Sequence, residues 1–172
     1  MNFATAFVFL VALFDAVDSI ISARLGRGPQ VVASVIVVGS DAGWCLNDNN
    51  PETDFNDCVN FSLDAKRFED DTVKGMLVDV WVDRSVYRGD IDCLNVTEVD
   101  GVDIAIVSGI LTGGPQKNET FYTAAKIGAN GTPYYGPLEI NQNVTCQNVN
   151  VTSFNFVEHI KGVVKIQGLK KD

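Results

Sequence analysis

The chain is poor in the residues that catalysis most often uses. It has one histidine, His159. A Ser-His-Asp triad would have to use that imidazole, and no Gly-x-Ser-x-Gly elbow presents a serine to it. His159 therefore reads as a surface or packing residue. There is no Cys-x-x-Cys pair, and one histidine does not complete a zinc set. No glycine-rich loop follows a strand and opens a helix, so no phosphate cradle is expected; Gly113-Gly114 falls in a turn instead. No stretch shows convincing 3.6-residue periodicity, although Phe154 to Lys161 fits a short helical turn. Basic residues number 13 against 22 acidic ones, a net charge of −9. That balance argues against a nucleic-acid partner, which needs clustered Lys and Arg. These absences point away from an enzyme and leave carboxylates as the remaining catalytic material.

What is present points to export. Phe3 to Phe14 is apolar apart from Thr5, too short to span a bilayer but suited to a signal-peptide core. Cleavage after Ser19 or after Ala23 is open to a signal peptidase. Ala23 is preferred, because the mature chain then begins with the turn-like Arg24-Leu25-Gly26-Arg27-Gly28-Pro29. Residues 1–23 are thus read as a leader and 24–172 as the mature domain, without a transmembrane segment. Its removal leaves 13 bases against 20 acids, a net −7. Six Asn-x-Ser/Thr sequons follow, at Asn60, Asn95, Asn118, Asn130, Asn143 and Asn150. Chance would supply roughly one or two, so the set reads as a glycosylated, secreted chain.

The four cysteines, Cys45, Cys58, Cys93 and Cys146, are an even number in an exported chain and imply disulfides. Four allow three pairings. Cys45–Cys58 is favoured because it would close the Asn- and Asp-rich loop between them, which leaves Cys93–Cys146 to tie the middle of the chain to its C-terminal part. The same loop, residues 46–57, offers oxygen donors of the kind calcium takes, Asp48, Asp54 and Asp57 foremost, with Asn50 and Glu52. It lacks the glycine and closing glutamate of an EF-hand, and a turn-rich acidic loop is the simpler reading. No other cofactor or metal is expected.

Strand signals recur every ten to fifteen residues, separated by Gly, Asn and Asp. Val31 to Val38 is apolar on both faces. It must be covered twice, in its own core or by a neighbouring copy to which it is lent. Val59, Phe61, Leu63 and Ala65 alternate with polar residues. In Val73 to Asp83, Met76, Val78, Val80 and Val82 share one face and Asp79, Trp81 and Asp83 the other. Either the apolar set is the core face, which would expose Trp81, or a barrel encloses the other face and buries it; both readings stay open. Asp100-Gly101 is a hairpin dipeptide. Phe121 to Ile127, Val144 to Phe156 and Gly162 to Gln167 complete the pattern, with a long turn region from Gly128 to Gly136. The expected fold is all-β, an antiparallel β-barrel or sandwich in one domain.

One resemblance runs through these strands. Asn60-Phe-Ser-Leu-Asp-Ala-Lys66, Gly75, Gly89-Asp-Ile-Asp-Cys-Leu-Asn-Val96, Gly101-Val-Asp-Ile-Ala-Ile-Val-Ser-Gly109 and Leu111-Thr-Gly-Gly114 carry it. So does the closing Ile160-Lys-Gly-Val-Val-Lys-Ile166. Together they resemble a β-domain of unknown function in secreted microbial proteins, with a Phe-x-x-x-Ala-Lys, Ile-x-Cys-Leu-x-Val and Ala-x-Ile-x-Gly pattern. The resemblance covers roughly residues 35–167 and implies a compact antiparallel barrel-like fold in extracellular proteins. It implies no activity and no catalytic residues. The sequons and the 45–58 loop depart from it.

The leading functional expectation is a non-catalytic extracellular glycoprotein module with a structural, assembly or adhesive role. Its partners would be other extracellular or cell-surface proteins or glycans, or a second copy of itself. The alternative is a barrel binding a small ligand, as a lipocalin-like carrier or an isomerase does. A third reading is a carboxylate hydrolase built on Asp79 and Asp83 or on Asp90 and Asp92, residues that more simply form a solvated outer face.

Overall fold

The computed structural model describes residues 29–45, 58–140, 144–150, 156 and 160–168. The leader and the 46–57 loop lie outside them. The strands are β1 (Val31–Cys45), β2 (Cys58–Phe68), β3 (Val73–Val80), β4 (Val86–Val99), β5 (Val102–Gly113), β6 (Thr120–Ile127), β7 (Pro133–Tyr135), β8 (Glu139–Ile140) and β9 (Ile160–Gln167). No helix occurs among the described residues, so none there is long and apolar enough to cross a membrane. All pairings are antiparallel.

The sheet is an up-and-down meander whose order is β7-β6-β5-β4-β3-β2-β1-β9, with β8 on β6 as well. The last strand returns to pair with the first, and β9 also lies against β7 and β6. The sheet thereby curls into a nearly closed barrel, which leaves little open edge. β1 is hydrogen-bonded to β2 on one side and β9 on the other, so it is an ordinary central strand of its own chain.

Three connections are the same five-residue turn, at Phe68–Thr72, Trp81–Ser85 and Gly128–Thr132. In each, the first N–H donates to the fifth carbonyl, at 2.8–2.9 Å, and the fourth N–H donates back to the first carbonyl. The third residue is Asp70, Asp83 or Asn130, and its Oδ1 accepts from the N–H of the fifth, at 2.8–3.1 Å. The fourth residue is left-handed, with φ of 62° at Asp71, 65° at Arg84 and 80° at Gly131. A short side chain with a β-position oxygen suits this geometry, because it substitutes for a backbone acceptor two residues on. The β4–β5 hairpin uses Asp100-Gly101 with φ of 52° and 77°, as the dipeptide implies.

Side chains alternate across the barrel wall. Val35, Val37, Phe61, Leu63, Ala65, Leu77, Tyr87, Ile91, Ala105, Val107, Leu111, Phe121 and Tyr135 form one interior cluster. Gly89 makes room for it: a Cβ there would collide with the Phe121 ring. A bulge decides the other side. Ile91 pairs with Gly109 but Cys93 with Ser108, so Asp92 is an extra residue in β4. The extra residue inverts the parity of the strand. Ile91 and Leu94 both point inward, and Cys93 points out.

One open alternative about these elements is decided and one expectation is corrected. The face of β3 that enters the barrel holds Leu77 and Asp79, with Trp81 packed against the core just beyond, while Met76 is 57% exposed on the outside. Residues 144–150 form no strand; they are a strap with a turn at Cys146–Asn148. Of the helical turn expected at Phe154 to Lys161, Phe156 is irregular and Ile160 and Lys161 belong to β9; the other residues lie outside those described.

Candidate functional site

Chemistry-bearing side chains collect in two places. The first is inside the barrel, toward the end that carries the Trp81–Ser85 turn. Asp79 is 3% exposed there, and its ladder partners are Phe61 and Tyr87. Phe61 stacks on Tyr135 with ring centroids 4.3 Å apart, and Trp81 lies 5.4 Å from Tyr87. Thr123 is fully buried and donates its hydroxyl to the Gly136 carbonyl at 2.9 Å. Burial first, and the Asp79 charge second, hold the Tyr135 phenol far above its ordinary ionisation range. The phenol is thus held neutral in an aromatic wall, within the electrostatic influence of Asp79.

The second place is the outer face of β4–β6. The strap 144–150 crosses it, fastened at Cys146 by a disulfide and a hydrogen bond. Cys146 forms a disulfide with Cys93 across a sequence separation of 53 residues. The Cys146 N–H donates to the buried Ser108 hydroxyl at 3.0 Å. Under the strap lie Ile104, Ile106 and Ala124, joined by Val149 and Phe156. Beside it is a depression of about 250 Å³ lined by Val99, Val102, Ile104, Lys126 and Tyr134, with Asp100 and Gly128 at its rim. The Lys126 ammonium stands 5.0 Å from the Tyr134 ring and 4.3 Å from Phe156, a cation over two aromatic faces.

Nothing among family models, curated proteins or solved structures matches this chain. The reading of its site therefore rests on geometry.

The sequon asparagines are spread over the outside. Asn60 on β2 and Asn95 on β4 have outward parity and are half-buried. Asn118 is exposed in the β5–β6 turn at φ 75°, and Asn130 is exposed in the Gly128–Thr132 turn. Asn150 is exposed at the end of the strap. Asn143 lies outside the described residues.

Cys93 and Cys146 are bonded as expected. For Cys45 and Cys58, the backbone register places the two residues directly opposite each other on β1 and β2. Asp48, Asp54, Asp57 and His159 lie outside the described residues, and no cluster that could hold a metal occurs among those described. Asp79 and Asp83 are not brought together. Asp79 is in the barrel, whereas Asp83 is in an exposed turn, where two hydrogen bonds from Ser85 lower its pKa. Asp90 and Asp92 are both exposed.

Ser108, Thr123, Tyr135 and Arg67 were not singled out in the sequence. Arg67 donates from Nη1 to the Leu94 carbonyl at 3.4 Å. Its inward direction is legible in the Phe61, Leu63, Ala65 alternation, which it continues. Ser108 and Thr123 carry no local signal, because their partners are 38 and 13 residues away.

Proposed function

We propose that this chain is an exported, N-glycosylated, non-catalytic extracellular module with a structural, assembly or adhesive role. The supporting observation is the division between inside and outside. The barrel interior is packed with large apolar side chains: Phe121, Leu63, Leu77, Leu111, Val35 and Val37 are each at or below 2% exposure. The described sequon asparagines all have outward parity or sit in surface turns and the strap. A disulfide fastens the strap on the same exterior. The interaction-bearing surface of such a molecule is its exterior, and its partners are surface or matrix proteins, glycans or further copies of the chain. Native mass analysis of secreted material, with binding assays on cell surfaces and matrix components, tests the proposal. Assembly or surface binding is the expected result; a strict monomer that binds neither would contradict it.

A second reading, a small-ligand barrel, has one observation in its favour: Asp79, Thr123 and Tyr135 place polar groups in an otherwise apolar interior. A ligand there would have to displace the Phe61–Tyr135 stack. Native mass spectra carrying a constant small-molecule adduct, lost on replacing Asp79 with Asn, would favour this reading over the first.

A further inference from the structure

We propose that Asn60 is a modification site with a structural job: its N-linked glycan covers an apolar band on the outer wall of β1, β2, β3 and β9. This rests on the glycoprotein reading above and deepens it by assigning one sequon a surface to shield.

The ladder register defines the band. On β2, the outward residues Asn60 and Ser62 are the first and third positions of the sequon. Asn60 pairs with Ser40 on β1 and Val80 on β3, and Ser62 pairs with Val38 and Val78. Val38 in turn pairs with Val163 on β9, which is 52% exposed. Met76 follows Val78 along β3 and is 57% exposed. The sequon therefore adjoins an outward patch of half-buried Val38, Val78 and Val80 and exposed Val163 and Met76, while Ser40 beside Asn60 is itself only 2% exposed. Directly opposed residues lie about 5 Å apart and diagonal ones about 7–8 Å, so three valines are within reach of a sugar ring on Asn60. Soluble proteins seldom leave such a patch bare.

The other described sequons lack this setting. Asn118 and Asn130 are in exposed turns, and Asn150 ends the strap. Asn95 faces Ile106 across the ladder, but Ile106 is already covered by the strap.

The chemistry is that of the secretory pathway. The Asn60 amide nitrogen forms a bond to the anomeric carbon of a lipid-pyrophosphate-linked oligosaccharide. The anomeric carbon–oxygen bond breaks, the amide gives up a proton, and the lipid pyrophosphate leaves. The first sugar then lies with its apolar ring face on the valines and its hydroxyls toward water.

Asn60 takes part in a further contact of its own, so the test leaves it in place. The full chain is secreted from a eukaryotic host as wild type, Ser62→Ala, which destroys the sequon, and Ser62→Thr, which keeps it. Asn130→Asp serves as a second sequon knockout far from the band. Glycopeptide mass spectrometry reads occupancy; thermal unfolding and native mass read the consequence. The expected result is an occupied Asn60, a Tm lower by about 2–4 °C with new self-association in Ser62→Ala, and neither change in Ser62→Thr or Asn130→Asp. If other sequons are occupied and Asn60 is not, this inference fails while the glycoprotein reading stands. If Asn60 is occupied but Ser62→Ala leaves Tm and association unchanged, the shielding role fails. If no sequon carries sugar, both fail.

Discussion

Replacing both Cys93 and Cys146 with alanine tests how the outer strap is held. The disulfide closes a loop across 53 residues. Chain-entropy arguments give about 4 kcal/mol for a loop of that length at 25 °C. The strap is also fastened by the Cys146 N–H to Ser108 hydrogen bond, and it covers Ile104, Ile106 and Ala124. A hydrogen bond of that kind contributes about 1 kcal/mol net and does not hold the strap without the covalent tie. At about 2–4 °C per kcal/mol for a domain of this size, the double variant should melt about 8–16 °C lower. Circular dichroism measures the shift. Limited proteolysis should cut first within residues 144–150, and an apolar dye should bind the uncovered Ile104–Ile106 strip. A midpoint within about 2 °C of wild type, with no new cleavage, would show that packing alone holds the strap and would refute the argument.

Three further outcomes follow from the turns and the core. Asn130→Asp should keep the thermal midpoint of the unglycosylated protein, because Asp70 and Asp83 already perform the same turn. Asn130→Ala removes the acceptor and should cost about 1 kcal/mol in urea unfolding. Gly89→Ala should destabilise by about 1–3 kcal/mol, since its methyl meets the buried Phe121 ring, and Phe121→Leu in the same chain should recover part of the loss. The Asp70 and Asp83 carboxyls are lowered from 3.8 by hydrogen bonds from Thr72 and Ser85. A depressed folded value contributes stability above the unfolded value, and that contribution is lost as pH falls through and below 3.8. Acid titration of Asp70→Asn/Asp83→Asn should accordingly show a shallower loss of stability below pH 4 than wild type; parallel acid limbs would contradict it.

The strand order was legible because hydrophobic alternation and turn residues are local signals. Asp100-Gly101 specified its hairpin, and Phe121 to Ile127 became β6, which starts one residue earlier at Thr120. The choice of face on β3 was not legible. Met76, Val78 and Val80 form the more apolar set, yet they point outward. Branched and apolar side chains suit any pleated surface between two neighbouring strands, so apolarity alone does not separate inside from outside in a barrel. The inward set of Leu77, Asp79 and the adjoining Trp81 meets Tyr87 on the neighbouring strand β4 and Tyr135 on the distant β7. The bulge at Asp92 was equally hidden. It leaves a trace only in Ile91 and Leu94, both core residues three apart, where alternation demands an even spacing. That one extra residue is what turns Cys93 toward Cys146, so the strap's anchor depends on a local irregularity that the alternation pattern does not announce. Val144 to Phe156 looked like a strand for the opposite reason: its first half alternates, but residues 144–150 are held by contacts such as a disulfide and a serine hydroxyl and form no ladder.

The most direct test of the account is the intact mass of the chain secreted from a eukaryotic host, measured before and after enzymatic removal of N-glycans. The account predicts a protein in the medium that begins at Arg24 and carries several N-glycans, with Asn60 converted to Asp on deglycosylation. A chain that stays in the cell, keeps residues 1–23 and shows no change in mass on enzyme treatment would contradict it.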